Sequence, residues 1–318
     1  MKITVLDRCT LTAGDLDFSA LDRLGQVAYY DLVPSERLPE VIRDSEAVLV
    51  NKAVIDRQVM DACPALRYVG LFATGYNNID LKAAEEKGIC VCNVPGYSTP
   101  SVAQQVFAFI LAYATSLPEY DRSTHNGDWI TSHTFSYFPY PVSELAGKTL
   151  GIFGYGAIGR KVAEIGRAFD MEILVCTRTP PKDCPDLQVT MEVLFRRSDY
   201  LTFHCPLTPL TKELVCKQTL SWMKPTAYLI NTARGGIVVE QDLADALNAG
   251  EIAGAGIDVL TVEPMRANQP LLKAKNCRIT PHMAWASAES RQRLLWLVCE
   301  NLRQFQAGTP IHQVFPEM

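Results

Sequence analysis

One stretch limits the possible folds of this chain more than any other. A short apolar run at residues 149–153 leads into Gly154-Tyr155-Gly156-Ala157-Ile158-Gly159, and a helical pattern follows. Three glycines at this spacing, between a strand and a helix, form the fingerprint of a dinucleotide-binding βαβ unit. Gly154 permits the tight turn, Gly156 lets the backbone approach a pyrophosphate, and Gly159 lets helix and strand pack closely. The phosphates then meet free N–H groups at the positive end of the helix. Taken alone, the motif also admits a turn without ligand, or a flavin or S-adenosylmethionine site.

The rest of the chain fits that unit into a larger sheet. Further strands are expected at residues 172–176, 200–203, 227–231, 254–258 and 277–280, separated by helical patterns. Six strands in this alternation match a complete dinucleotide-binding sheet. An earlier alternation places strands at residues 3–6, 47–50, 68–72 and 89–93, with a helix over 80–87 closed by Gly88. It predicts a second parallel sheet covered by helices on both faces. Residues 101–117 form a helix apolar on most faces, which is expected to be buried between domains or subunits. The following loop carries Trp129, Phe135, Tyr137, Phe138 and Tyr140. At about 25 residues it is long for a connection, and its aromatics either mark an interface or pack back on their own domain. A last helix is expected over residues 286–307.

Composition narrows the partners. The formal net charge of -5 and a pI of about 5.6 argue against nucleic acid or an anionic membrane surface. The first residues enter a strand pattern with no leader, and no apolar run approaches the roughly 20 residues of a membrane helix. A cytoplasmic protein is therefore expected. Ten cysteines are scattered without CxxC or zinc spacing, so buried reduced thiols and no metal are expected. Cys90 and Cys92 should point to one face of a strand.

The cofactor is constrained after the second strand of the main sheet. An acidic residue there accepts hydrogen bonds from the ribose of NAD. Here Thr177-Arg178-Thr179 stands instead. Arg178 would attract a 2′-phosphate through charge-assisted hydrogen bonds. NADP is therefore favoured over NAD, the other reading being a solvated Arg178 with NAD still used.

Three strand-end motifs supply the parts needed to reduce a 2-keto acid. That reaction needs a cation for the carboxylate, a donor for the ketone oxygen and an acid for the forming alkoxide. The first motif is Asn231-Thr232-Ala233-Arg234-Gly235-Gly236, whose Arg234 fork suits a carboxylate. The second runs from Asp258-Val259 to Glu263-Pro264, and the third is Thr280-Pro281-His282-Met283-Ala284-Trp285. His282 is the candidate acid, with Glu263 as the carboxylate that orients it. His204 also ends a strand and is its rival; His125, His133 and His312 lie in the aromatic loop and the tail.

In order and spacing these motifs resemble the D-isomer-specific 2-hydroxyacid dehydrogenase family over essentially the whole chain. The resemblance also rests on residues 72–80, including Ala73-Thr74-Gly75-Tyr76-Asn77-Asn78, on Asn93-Val94-Pro95-Gly96, and on His204-Cys205-Pro206-Leu207-Thr208. Residues 73–78 and 144–147 look most like the glycerate dehydrogenase/hydroxypyruvate (glyoxylate) reductase subgroup. It implies an α/β fold of two doubly wound parallel-sheet domains, a Rossmann cofactor domain plus a flavodoxin-like substrate domain, with the cleft between them. The substrate domain would be residues 1–99 plus 286–318, and the cofactor domain 100–285. It further implies Arg234 as carboxylate ligand, His282 as proton donor and Glu263 as its partner. Cofactor contacts would come from Gly154 to Gly159, Thr177 to Thr179, Cys205, Pro206, Thr211, Thr232, Ala233 and Asp258, the last on the nicotinamide carboxamide. Substrate contacts would add Ala73 and the backbone N–H groups near Thr74 and Gly75, which would meet the carboxylate, with Lys52 nearby, and the assembly would be a homodimer. The expected reaction is hydride transfer between NAD(P)H and a small 2-keto acid, such as hydroxypyruvate or glyoxylate, giving D-glycerate or glycolate. A non-catalytic NAD(P)-sensing corepressor, or a relative acting on phosphite or formate, are the alternatives.

Overall fold

Strands that are apolar along their whole length belong to sheets covered on both faces, and this chain carries two such sheets. The computed structural model describes residues 1–179, 184 and 186–316. It separates into two units, Met1–Ser98 with Ala286–Met318, and Thr99–Trp285.

In the first unit, β1 (Lys2–Val5), β2 (Gln26–Tyr29), β3 (Ala47–Val50), β4 (Tyr68–Leu71) and β5 (Cys90–Cys92) pair in parallel. Their order is β2-β1-β3-β4-β5, the flavodoxin-like arrangement. β3 and β4 are buried at every position. The sequence pattern does not announce β2, because it is a four-residue edge strand, exposed or half-exposed at every position. The helix expected over residues 80–87 runs Leu81–Glu86. Asp80 caps it by accepting from the Ala83 N–H at 2.9 Å, and Gly88 turns the chain away with φ +67°. The last helix, Ala288–Gln306, starts at the cap Ser287 and packs on β4. Cys90 and Cys92 do share a face, with their sulfurs 3.7 Å apart. All ten cysteines are free, but only Cys63, Cys90, Cys92 and Cys299 are buried; Cys9 is exposed and the others are half-buried.

The second unit holds β6 (Thr149–Phe153), β7 (Glu172–Cys176), β8 (Leu187–Gln188), β9 (Tyr200–Phe203), β10 (Tyr228–Asn231), β11 (Gly254–Ile257) and β12 (Cys277–Ile279). They are parallel, in the order β12-β11-β10-β9-β6-β7-β8. The chain thus winds outward in both directions from β6, and strand order reverses between β6 and β9. Ligands of such sheets bind at the carboxyl ends of the strands around that reversal. β8 is a two-residue edge strand beyond the six expected; nothing so short carries a periodic signal.

The apolar helix runs Thr99–Thr115 and buries Val106, Phe109 and Ile110. It packs on β10, β11 and the helix Ala157–Ala168 of its own unit. Its residues Ala103, Val106, Phe107, Phe109, Ile110 and Ala114 belong to the core of this unit. Ser116 (φ +48°) breaks it, and Pro118 opens a second helix, Leu117–His125, that the loop reading missed. The aromatics after it divide. Tyr140 packs edge-on against Tyr120 at 5.3 Å and Tyr137 hydrogen-bonds Ser123. Phe135 and Phe138 stay 90% and 84% exposed. No helix among the described residues is long and apolar enough to cross a membrane.

Candidate active site

The glycine loop closes on the reversal point. Gly154 has φ +94°, and a Cβ there would sit 2.7 Å from the His204 carbonyl oxygen. Its N–H donates to Cys176 O at 2.8 Å. A larger residue would thus fail twice, by conformation and by contact with β9. A Cβ on Gly159 would run into the Gly154 carbonyl, whereas nothing lies within 4 Å of one on Gly156. Gly156 begins the helix Ala157–Ala168 without a side-chain cap, so the first N–H groups are left for an anion. Nearby, the Thr232 hydroxyl is buried with no hydrogen-bond partner. Open space at Gly156, an uncapped helix start and an orphaned hydroxyl all fit a bound dinucleotide.

Side chains in this region take three different positions. Thr177 is half-buried, while Arg178 and Thr179 are exposed; no ion pair ties Arg178 down among the described residues. Tyr155 instead turns inward. Its hydroxyl hydrogen-bonds Asp186, whose carboxylate also takes Arg167 at 2.8 Å. Only the Tyr155 backbone is left to meet a cofactor. Thr211 likewise spends its hydroxyl on Pro206 O (2.7 Å) and the Thr208 N–H (2.8 Å), bracing the turn after Cys205.

Arg234 follows β10 on a turn built by Asn231, which is fully buried. The Asn231 amide accepts from Ala233 N–H at 3.0 Å and donates to Arg234 O at 2.9 Å. The guanidinium donates to Ala233 O and forms no ion pair among the described residues, so it presents free donors to an incoming anion. Gly235 then passes close to the next loop: a Cβ would lie 1.9 Å from the Leu260 carbonyl carbon and 2.3 Å from Thr261 N. Glu240, six residues after Arg234, accepts from Thr261 N–H at 2.7 Å and from Gln269 at 2.9 Å. The helix Glu240–Ala249, which starts six residues after Arg234, therefore holds the loop that carries Glu263.

His282 and Glu263 meet directly. His282 Nδ1 and Glu263 Oε2 are 2.6 Å apart, and Glu263 Oε1 accepts the Leu260 N–H at 2.8 Å. With the ionised carboxylate as acceptor, Nδ1 carries the proton of this bond. His282 Nε2 has no protein partner among the described residues. The residue has φ +53°, a left-handed conformation that costs a non-glycine residue about 1–2 kcal/mol. Asp258 holds it there. The Asp258 carboxylate is 2% exposed and accepts from Thr280 Oγ1 (2.6 Å), Met283 N–H (2.9 Å) and Ala284 N–H (2.9 Å). Its carbonyl takes the His282 N–H at 2.7 Å, and the Trp285 indole caps His282 O at 3.0 Å. Burial pushes the Asp258 carboxyl up, against the lowering pull of those three donors. A buried, bonded Asp258 is first a clamp on the His282 turn.

The rival histidine faces inward. His204 Nε2 lies 3.0 Å from Thr202 Oγ1, and desolvation of the ring lowers its pKa from 6.5 to about 3. A neutral ring of this kind is no proton donor near neutral pH. The sign of its effect on folding follows: the unfolded chain binds a proton between about pH 6.5 and 3 and the folded one does not. Stability contributed by His204 is therefore present above about pH 6.5 and lost as pH falls toward 3, at up to about 1.4 kcal/mol per pH unit. The stability gap between wild type and His204→Gln, measured by urea unfolding, should narrow from pH 7 to pH 5. A gap independent of pH would contradict the assignment.

The first unit carries its own group of polar residues at the carboxyl ends of β1, β3 and β4. Asp7 is fully buried and accepts the N–H groups of Asn51 (2.9 Å), Lys52 (2.5 Å) and Ala53 (3.0 Å). Asn78 donates to Ala53 O at 2.8 Å, so the Lys52 turn is pinned from both sides. Ala73, Thr74 and Gly75 follow β4, and the N–H groups of Thr74 and Gly75 have no acceptor among the described residues. Asp7, Asn93, Asn231 and Glu240 were not singled out as functional from sequence; a polar residue at a strand end carries no sign of whether it will be buried and bonded. No group of three His, Cys, Asp or Glu among the described residues could hold a metal ion.

Known proteins agree with this geometry. Residues 107–284 match the family model described as D-isomer specific 2-hydroxyacid dehydrogenase, NAD binding domain. The chain is 41% identical over 320 residues to a hydroxypyruvate reductase of Blautia hydrogenotrophica, covering 99% of each chain. It is 36% identical over 311 residues to a glycerate dehydrogenase of Methylorubrum extorquens, covering 97% of each. It is also similar to the crystal structure of an NADPH-dependent glyoxylate/hydroxypyruvate reductase from Sinorhizobium meliloti, with a TM-score of 0.85, 30% identity and 99% coverage of both chains. Family model, near full-length relatives and a strand order wound about the glycine loop lead to one conclusion: the chain belongs to the D-isomer-specific 2-hydroxyacid dehydrogenase family and is an NAD(P)-dependent oxidoreductase.

Proposed function

We propose that the protein reduces small 2-keto acids, hydroxypyruvate and glyoxylate first among them, to D-2-hydroxy acids, with residues 100–285 as the cofactor domain and residues 1–99 plus 286–318 as the substrate domain. The observation that carries this reading is the 2.6 Å His282–Glu263 pair, with the Glu263 loop held by the helix that follows the Arg234 turn. The names of the similar proteins support the substrate class.

Bound NAD(P)H supplies the hydride for the carbonyl carbon. Arg234 takes the carboxylate and polarises the ketone oxygen through its remaining donors. His282 gives the alkoxide its Nε2 proton, and the Glu263 carboxylate stabilises the charged ring and fixes its orientation. Lys52, Ala73, Thr74 and Gly75 are assigned to the substrate, and Thr232, Ala233, Cys205, Pro206, Thr211 and Asp258 to the cofactor, by family resemblance. Asp258 can serve the carboxamide only with lone pairs its three donors leave over.

NADPH is the cofactor we favour, because Thr177-Arg178 stands where a ribose-binding acid would repel the 2′-phosphate. Replacing Arg178 by alanine should cut kcat/KM for NADPH on the order of tenfold, the worth of one hydrogen bond to a charged group, with little change for NADH. An unchanged ratio would remove Arg178 from the cofactor choice. The wild-type reaction is tested by following reduced-nicotinamide absorbance with hydroxypyruvate, glyoxylate and pyruvate against each cofactor. Turnover with none of them, in protein that binds NADPH, would defeat the reading. The exposed Phe135 and Phe138, with Trp129 and Ile130 beside them in sequence, support a homodimer formed through this segment.

A further inference from the structure

We propose that Asn93 is a positioning residue that turns Thr74 and Gly75 into an anion-binding pair for the substrate carboxylate, an inference that rests on the keto-acid reading above. Asn93 belongs to the motif Asn93-Val94-Pro95-Gly96, to which neither cofactor binding nor proton transfer gives a role. In a regular strand, successive carbonyls point to opposite sides. After β4 they do not. Ala73 O accepts the Val94 N–H at 2.9 Å. The very next carbonyl, Thr74 O, accepts the Asn93 side-chain amide at 2.7 Å. Both carbonyls therefore face residues 93 and 94.

A trans peptide points its N–H opposite to its C=O. Turning two successive carbonyls one way thus aims the N–H groups of Thr74 and Gly75 together the other way. Consecutive N–H groups so directed make an anion-binding concavity, and these two have no acceptor among the described residues. The amide that does this work is itself fixed. Asn93 is 9% exposed; its carbonyl accepts from Asn301 Nδ2 at 2.8 Å, and its N–H donates to His312 O at 3.2 Å. The Thr74 hydroxyl ties the same turn to Val94 O at 2.8 Å. Without the Asn93 donor, Thr74 O has no partner on that side and the peptide plane of Gly75 is free to rotate.

Two variants test this, each compared with Arg234→Ala by steady-state kinetics. Asn93→Asp is nearly isosteric, removes the donor and adds a negative charge; Asn93→Ala removes the donor with no change of charge, so an effect shared by both reports the lost donor. Either should raise KM for the keto acid about tenfold, as expected for one lost hydrogen bond to a charged group. Inhibition by oxamate, a non-reacting analogue, should weaken in step. Saturating kcat and NADPH affinity should change little, because the contact is made equally before and during hydride transfer. A folded Asn93 variant with unchanged keto-acid KM, or one that loses kcat and thermal stability alone, overturns the proposal. If KM is unchanged in Asn93→Asp but raised in Arg234→Ala, only the Asn93 assignment fails. If Arg234→Ala also leaves it unchanged, carboxylate binding by this protein has been misread.

Discussion

Replacing His282 by alanine should lower kcat by about 10²–10⁴-fold, the usual contribution of a positioned general acid. NADPH affinity should hold, since the His282 ring hydrogen-bonds Glu263 and no part of the glycine loop. The loss arises from the proton. Hydride addition leaves an alkoxide, and His282 Nε2 is the donor atom left without a protein partner beside a ring nitrogen already engaged. Glu263→Gln should cost less, because an amide can still accept the Nδ1 hydrogen bond while giving up its charge. Nicotinamide fluorescence for binding and stopped-flow absorbance for turnover separate the two effects. Wild-type-like turnover in His282→Ala would remove the residue from the mechanism; a variant that binds no NADPH would place it in the cofactor site.

The second large effect is expected from a residue with no side chain. In Gly235→Ala the new methyl would fall 1.9 Å from the Leu260 carbonyl carbon and 2.2 Å from its oxygen. These are backbone atoms and cannot swing away as a side-chain tip does. Overpacking of this kind costs typically about 1–3 kcal/mol, sometimes more. Leu260 also donates its N–H to Glu263, so displacement of its backbone turns the carboxylate away from His282. Gly235→Ala should thus lose thermal stability and kcat together, whereas Gly236→Ala, which would meet only the flexible Leu207 tip at 3.0 Å, should lose much less of both. Equal, small losses in the two variants would mean that the Arg234 turn and the Glu263 loop are not coupled through this contact.

The parts of the fold legible in the sequence were those with a period or a strict steric demand. β3 and the strands flanking the glycine loop announce themselves as continuous apolar runs, and Gly154 through Gly159 has one main structural use. β2, β8 and the helix Leu117–His125 were missed because each is short or half-exposed, and the break at Ser116 leaves no periodic trace. In the candidate site, the charged residues at strand ends were readable because their chemistry is distinctive. What holds them was not. Asp7 reads like any surface acid until its carboxylate is seen to gather three backbone N–H groups. Tyr155 sits in the fingerprint, yet its ring faces Asp186 and not the open side. His204 and His282 both follow strands; burial against Thr202 and contact with Glu263 tell them apart.

The proposed reaction is tested most simply with the protein, NADPH and hydroxypyruvate, followed by loss of the reduced-nicotinamide band, with the hand of the glycerate determined by chiral separation. Steady oxidation of NADPH with D-glycerate as product is expected. Formation of L-glycerate, or tightly bound NADPH that no 2-keto acid oxidises, would contradict it.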